Sequence, residues 1–188
     1  MAPVAETPRL RLREFGHGDL EALASMVADE EQMTFYPRAR TREEAAAWLA
    51  RNIGLYGEHG YGFWLVESLA TGDFAGYCGI RPLSLEGAAE TEIGWHVGKT
   101  LWNRGVATEA ATATLELAFG RFGLKRLVAL IGSDHLASLR VAEKIGMRAE
   151  RNVVLEGQPF GLQSIETMST TNTSVSFGPI AGGKPCAP

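Results

Sequence analysis

The sequence predicts a single mixed α/β domain with a mostly antiparallel sheet flanked by helices, on three observations. Strand-like runs at 63–66, 74–81 and 91–97 are separated by the turn signals Thr71-Gly72-Asp73 and Glu86-Gly87, which suggests an antiparallel meander. Leu127-Val128-Ala129-Leu130-Ile131 is a continuous apolar run between polar residues, the pattern of a strand buried on both faces. Between and around these runs, apolar residues recur at helical spacing.

The elements follow in order. Leu10, Leu12 and Phe15 alternate with Arg9, Arg11 and Arg13 over a strand at about 8–14. Asp19 can cap a first helix bearing Leu20, Leu23, Met26 and Val27. Thr41 and Glu44 have capping-box spacing and open a second helix with Trp48, Leu49 and Ile53, which Gly54 to Gly62 then interrupt. After the meander, a third helix is expected at about 104–122, ending near Gly123, followed by the apolar strand. A fourth helix at about 136–145 stops at Gly146, a natural C′ glycine. Val153-Val154-Leu155 reads as a strand and Gly157-Gln158-Pro159 as a turn, with only some alternation in Phe160 to Glu166 to suggest one more strand. From Ser169 to Pro188 the chain is Ser, Thr, Asn, Gly and Pro with scattered apolar residues, which predicts a disordered tail after a domain spanning 1–168.

Composition narrows the function classes. With 188 residues, 45% of them hydrophobic, the chain can build a core without disulfides or metal. Cys78 and Cys186 are far apart and lack metal-ligand spacing, so no metal site is expected, and reduced thiols and a cytoplasmic location are. The first residues lack the basic and apolar regions of a secretory signal, and no apolar stretch approaches a membrane span. A net charge of −4 argues against a general nucleic-acid binder.

The most informative stretch is Trp102-Asn103-Arg104-Gly105-Val106-Ala107-Thr108-Glu109-Ala110, a polar turn with one glycine that runs into an amphipathic helix. The first amides of a helix lack intrahelical partners, and the helix dipole adds partial positive charge there. Gly105 lets the main chain approach a ligand and Arg104 adds a full charge, a combination suited to a phosphate, although such a turn also serves as a plain helix start.

The order of elements, this turn, and Ser138-Leu139-Arg140-Val141-Ala142-Glu143-Lys144-Ile145-Gly146-Met147 together resemble the GNAT superfamily of acyl-CoA N-acyltransferases. Thr7-Pro8-Arg9-Leu10-Arg11-Leu12-Arg13, Thr41-Arg42-Glu43-Glu44-Ala45 and Glu92-Ile93-Gly94-Trp95 are similar to its RimJ/RimL-type branch, and the likeness covers roughly residues 7–156. It implies a GNAT fold whose mixed sheet splays into a V-shaped gap, and acetyl-CoA as cosubstrate. The family's pyrophosphate loop has the pattern R/Q-x-x-G-x-G/A. Gly105 and Ala107 match its small positions, while Trp102 takes the first. The resemblance therefore implies cofactor contacts from Arg104, Gly105, Val106, Ala107 and Thr108, mostly through backbone amides. The Thr108 hydroxyl has a local cap as its alternative. His96 and Val97 fall where the pantetheine arm pairs with a strand edge. For the His96 imidazole, a plain strand side chain is the simpler reading.

An amine attacks a thioester only when neutral, so the reaction needs a proton sink, oxyanion stabilisation and a leaving thiolate. Glu92 stands where relatives carry a carboxylate base, and Glu90, two residues away on the same sheet face, is a second candidate. Ser138 matches a serine near the coenzyme sulfur, though a serine in a first helical turn also satisfies stray amides. His135 replaces the family's usual asparagine and can still donate to a pantetheine carbonyl. Ala142 replaces the tyrosine acid of other branches. Tyr36, Tyr56 and Trp64 could line an amine pocket or pack in the core.

The resulting expectation is an acetyltransferase acting by direct attack of a primary amine, either a protein N-terminus or a small molecule, as a monomer or homodimer without membrane or nucleic-acid partners. The rival reading is a non-catalytic acyl-CoA-binding or sensing module, favoured by His135 and the altered C-terminal third.

Overall fold

The computed structural model describes residues 3–167, so the predicted tail lies outside the described residues. Strand β1 (Pro3–Glu6) comes first, too short and mixed to stand out in the sequence, and pairs with β2 (Leu10–Arg13). Helices α1 (Leu20–Ala28) and α2 (Arg42–His59) follow, then the meander β3 (Phe63–Ser68), β4 (Phe74–Leu85) and β5 (Ala88–Val97). The second half is α3 (Val106–Glu116), β6 (Arg126–Ile131), α4 (Leu136–Lys144), β7 (Arg148–Leu155) and β8 (Gln158–Glu166). Among the described residues the eight strands form one sheet in the order β1-β2-β3-β4-β5-β6-β8-β7.

All neighbouring strands are antiparallel except β5 and β6, which run parallel and share a single pair of ladder partners, Glu92 and Val128. Beyond that pair they diverge, giving the splayed, mixed sheet that the resemblance implies. The closing strand does form. Strand β8 inserts between β6 and β7, so Leu130 faces Leu162 and Val153 faces Phe160.

Local chemistry explains the boundaries. The Thr41 hydroxyl accepts from the Glu44 amide at 3.3 Å while the Glu44 carboxylate accepts from the Thr41 amide at 2.8 Å, the reciprocal box expected at the start of α2. The break expected at Gly54 does not occur. Helix α2 continues through Gly54 and Gly57 to His59 and ends on Gly60, whose φ of 75° needs no Cβ. Interior glycines cost about 1 kcal/mol each relative to Ala. Tertiary bonds offset this, since the Asn52 amide binds both the N–H and the carbonyl of Phe63 at 2.8 Å, tying α2 to β3. Asp19 also departs from expectation. Its carboxylate accepts from Gly16 N and from Arg13 instead of capping α1. Helix α3 is shorter than expected because the chain widens into a π-type turn at Leu117–Arg121.

Two apolar layers sandwich the sheet. On one face Trp64, Cys78, Ile80 and Ile93 pack against Val106, Ala110, Ala111 and Leu115 of α3, and Ala142 of α4 joins them. On the other, Phe15 and Leu65 pack against Leu23 and Val27 of α1 and Ala45 and Leu49 of α2. Cys78 lies 3.2 Å from the Thr114 hydroxyl, and burial pushes its thiol up to about 12, so it is a neutral core side chain. No helix among the described residues is long and apolar enough to cross a membrane.

Candidate active site

The first part of the site is the start of α3. Asn103 and Gly105 both have left-handed backbone (φ 59° and 76°), which turns the chain sharply into the helix. Gly105 is the N-cap, and no side chain among the described residues caps the helix. Glu109, in the first turn, is the natural candidate to do so. It is instead drawn aside: its carboxylate accepts from the Thr7 hydroxyl (2.6 Å), the Arg9 main chain (3.0 Å) and Arg9 Nε (2.6 Å). Burial works against its charge, but Thr7 and Arg9 prevail and hold its carboxyl below the ordinary range. Arg9 also donates to the Arg104 carbonyl at 2.9 Å, bracing the turn from behind. The amides of Val106, Ala107 and Thr108 thus remain without a side-chain acceptor at the positive end of the helix dipole. The local-cap alternative for Thr108 is not realised; its carbonyl accepts from Thr112.

The second part is the gap between β5 and β6. The end of β5 is held by two donors on the Val97 carbonyl, Gln32 Nε2 and Trp102 Nε1, each at 2.8 Å. Gln32 also accepts from the Lys99 amide, and Lys99 Nζ reaches Asp29 and Glu31. Both lone pairs of the Val97 carbonyl are therefore taken, and a ligand pairing with this edge must use other main-chain groups.

His135 and Ser138 stand on the opposite side of the gap, at the start of α4. His135 is itself the N-cap: Nδ1 accepts from the Ser138 amide at 3.4 Å, and Nε2 lies 3.1 Å from the Ser138 hydroxyl. Nδ1 is therefore unprotonated, and burial lowers the ring's proton affinity further. The histidine thus does capping work more often done by Ser, Thr, Asp or Asn.

Residues 29–36 bridge the two sides. Phe35 stacks on His135 (ring centroids 3.7 Å apart, planes at 12°) and Tyr36 on His96 (5.4 Å, 18°). Adjacent aromatics of one loop thus cover one histidine from each wall. His96 is only 8% exposed, and burial pushes its imidazole down to about 4, with His135 adding to the effect. It is neutral near pH 7. Its Nδ1 lies 3.1 Å from the Tyr77 hydroxyl.

Ladder pairing assigns the third part. Arg81 faces Glu92, Gly79 faces Gly94 and Tyr77 faces His96, so these six residues share the sheet face that carries α1 and α2. Arg81 Nε donates to Glu92 Oε2 at 2.5 Å, while Glu92 Oε1 makes no hydrogen bond to a described residue. Tyr36 lies on this face with its ring on His96, and although the residue is 37% exposed, desolvation of its hydroxyl holds the proton more tightly than usual. Glu90, the second candidate base, is held by Arg126 together with Glu150 and Glu166 in a brace across β5, β6, β7 and β8. Tyr56 and Trp64 are core residues. The Tyr56 hydroxyl bonds the main chain at Phe15 and Phe63, and Trp64 packs on Phe122. Sequence reasoning missed Gln32, Phe35 and Tyr77. The consecutive aromatics Phe35 and Tyr36 in a polar loop were the one visible signal.

A splayed mixed sheet, an uncapped helix start beside the splay, and a carboxylate at its vertex define an acyltransferase-type fold. The Acetyltransferase (GNAT) domain family matches residues 9–148, and the chain belongs to that family. It is 34% identical over 159 residues to the uncharacterized protein YkkB of Bacillus subtilis (strain 168), covering 83% of this chain and 91% of that one. It is 33% identical over 145 residues to the uncharacterized N-acetyltransferase YnaD of the same strain, covering 77% and 82%. Among solved structures, a putative GnaT-family acetyltransferase from Bordetella pertussis superposes with a TM-score of 0.75 at 26% identity, covering 85% of this chain and 97% of that one.

Proposed function

We propose that this acetyltransferase moves an acetyl group from acetyl-CoA to a primary amine by direct attack in a ternary complex, and that it belongs to the RimJ/RimL-type branch. The observation that carries the reading is the uncapped first turn of α3, with Gly105 in left-handed conformation, beside the gap that opens beyond Glu92 and Val128. When bound, acetyl-CoA supplies an acyl group activated as a thioester.

The chain's own groups divide the remaining work. The amides of Gly105, Val106, Ala107 and Thr108, with the Arg104 side chain, would hold the pyrophosphate. The β5 edge at His96 and Val97, with His135 across the gap, would orient the pantetheine arm. Phe35 and Tyr36 stack on His135 and His96, one from each wall of the gap. Glu92 Oε1 is the free carboxylate oxygen on the acceptor face and takes the amine proton, directly or through one water. The Ser138 hydroxyl, beside His135, would donate a hydrogen bond to the departing thiolate, whose proton then comes from solvent.

Two measurements test this. Acetyl-CoA at about a hundred times its dissociation constant should stabilise the fold by about 2.7 kcal/mol and raise the melting temperature by several degrees. Thiol release from acetyl-CoA should then depend on an added amine. A folded protein whose melting is unmoved by acetyl-CoA refutes the donor site. Binding without thiol release from any amine refutes turnover and points to a sensing module.

A further inference from the structure

We propose that Arg9, with Thr7 beside it, is a positioning residue of the donor site: it neutralises Glu109, so that the first turn of α3 is left to the pyrophosphate of acetyl-CoA. The inference rests on the donor reading above and deepens it by naming the group that keeps that site open.

The start of α3 carries its own competitor. Glu109 is the one acidic residue of the first turn, and a carboxylate there is drawn to the same positive helix end that attracts a phosphate. Left unpaired, it would offset the dipole and repel the ligand's negative charge. The turn between β1 and β2 instead commits a set of donors to it. Glu109 Oε1 accepts from the Thr7 hydroxyl at 2.6 Å and the Arg9 amide at 3.0 Å, and Oε2 from Arg9 Nε at 2.6 Å and Nη2 at 2.5 Å. The Thr7 hydroxyl is itself fixed by the Leu10 amide at 3.0 Å. Only 16% of the Glu109 side chain is exposed, so water cannot take over the role of Arg9.

Arg9 positions the site without being free to grip the ligand. Its remaining nitrogen, Nη1, donates to the Arg104 carbonyl at 2.9 Å, so all three guanidinium nitrogens are engaged. A Cβ added to Gly105 would lie 3.5 Å from Arg9 Nη2, which puts the guanidinium against the turn itself. Arg104 differs. Its side chain is exposed and pairs with no carboxylate among the described residues, so it can turn to a phosphate. One arginine thus offsets the protein's own anion and leaves the other for the ligand. A lysine at position 9 could neutralise Glu109 but has no planar fork to hold the Arg104 carbonyl as well.

Calorimetric titration of acetyl-CoA into the wild type, Arg9→Gln, Glu109→Gln and the double variant tests this. Arg9→Gln should weaken binding by about 2- to 30-fold, the range for a charge at a helix end, and KM for acetyl-CoA should rise more than kcat falls. Adding Glu109→Gln to Arg9→Gln should restore most of that loss, because the competing charge is then gone. Glu109→Gln alone should bind at least as tightly as the wild type, and Arg9→Lys should lose less than Arg9→Gln. Unweakened binding by Arg9→Gln overturns the inference. So does a loss that Glu109→Gln fails to restore, which would make Arg9 a direct ligand or a plain structural brace. Should Arg9→Gln fail to fold, Glu109→Gln still decides, since weaker binding than the wild type overturns the inference. If the folded wild type does not bind acetyl-CoA at all, the donor site itself fails and the inference falls with it.

Discussion

His96 provides the sharpest physical test of the site's architecture. Burial and its neighbours depress the imidazole from 6.5 to about 4, and the folded protein therefore holds it neutral through a pH range in which the unfolded chain binds a proton. Between those two values the unfolded state carries more protons, so acid favours unfolding. The stability is fully present above about pH 6.5 and is lost as pH falls toward 4. The depression corresponds to about 3 kcal/mol, and the side chain is too buried for solvent to screen much of it. For a domain of this size that is a fall of roughly 6–12 °C in melting temperature. Carboxylates held low by arginines, such as Asp19 and Glu109, also destabilise the fold on acidification, so the assay is a difference. His96→Asn keeps a polar group near the Tyr77 hydroxyl and removes the titration. Denaturation of both proteins from pH 7.5 to 4 should show the wild-type advantage shrinking by about 3 kcal/mol relative to the variant. Parallel curves, or an NMR midpoint for His96 near 6.5, would refute the argument that packing against Tyr36 and Tyr77 keeps this ring from water.

The remaining predictions concern the two halves of the site and the sheet beneath them. Glu92→Gln should lower kcat by about 10²- to 10⁴-fold, the range of a lost general base, while the acetyl-CoA melting shift persists; an unchanged kcat removes Glu92 from proton transfer. Gly105→Val forces a β-branched residue to φ 76°, at about 1–2 kcal/mol of strain. It should abolish the acetyl-CoA shift and lower the unliganded melting temperature by only a few degrees. Gly79→Ala puts a Cβ 2.3 Å from the Gly62 carbonyl oxygen and 2.4 Å from Phe63 Cα, both main-chain atoms. It should destabilise the fold by about 3 kcal/mol or more in urea denaturation, whereas Gly57→Ala, with open space around it, should be neutral or stabilising.

What the sequence made legible was local. The Thr41–Glu44 box, the alternation around Leu10 and Leu12, the apolar run at Leu127–Ile131 and the stop at Gly146 each depend on residues a few positions apart. The start of α3 belongs to the same class, because the turn at Gly105 and the helix that follows it are set by neighbouring residues. Misreadings arose where distant partners decide. Gly54 and Gly57 look like a break until Asn52 is seen bonded to Phe63, and Asp19 looks like a cap of α1 until Arg13 draws its carboxylate aside. Tertiary contacts overrode local propensity in the first case and occupied a cap-like side chain in the second.

The acceptor side was illegible for a structural reason. The groups proposed to face the acceptor come from the loop before α2 and from β4 and β5, and no spacing in the chain brings them together. Which of Arg38, Arg40 and Arg42 turns inward depends on the register of that loop against the sheet, and neighbouring glutamates decide it by capturing the other two. The same loop stacks Phe35 and Tyr36 on His135 and His96 and is fastened to the end of β5 through Gln32. Acceptor recognition and the geometry of the donor gap therefore share one element. An acceptor that repositions this loop must also move the Gln32 side chain that holds the Val97 carbonyl, so acceptor binding should change with the donor present, and the donor's with the acceptor, by the same factor.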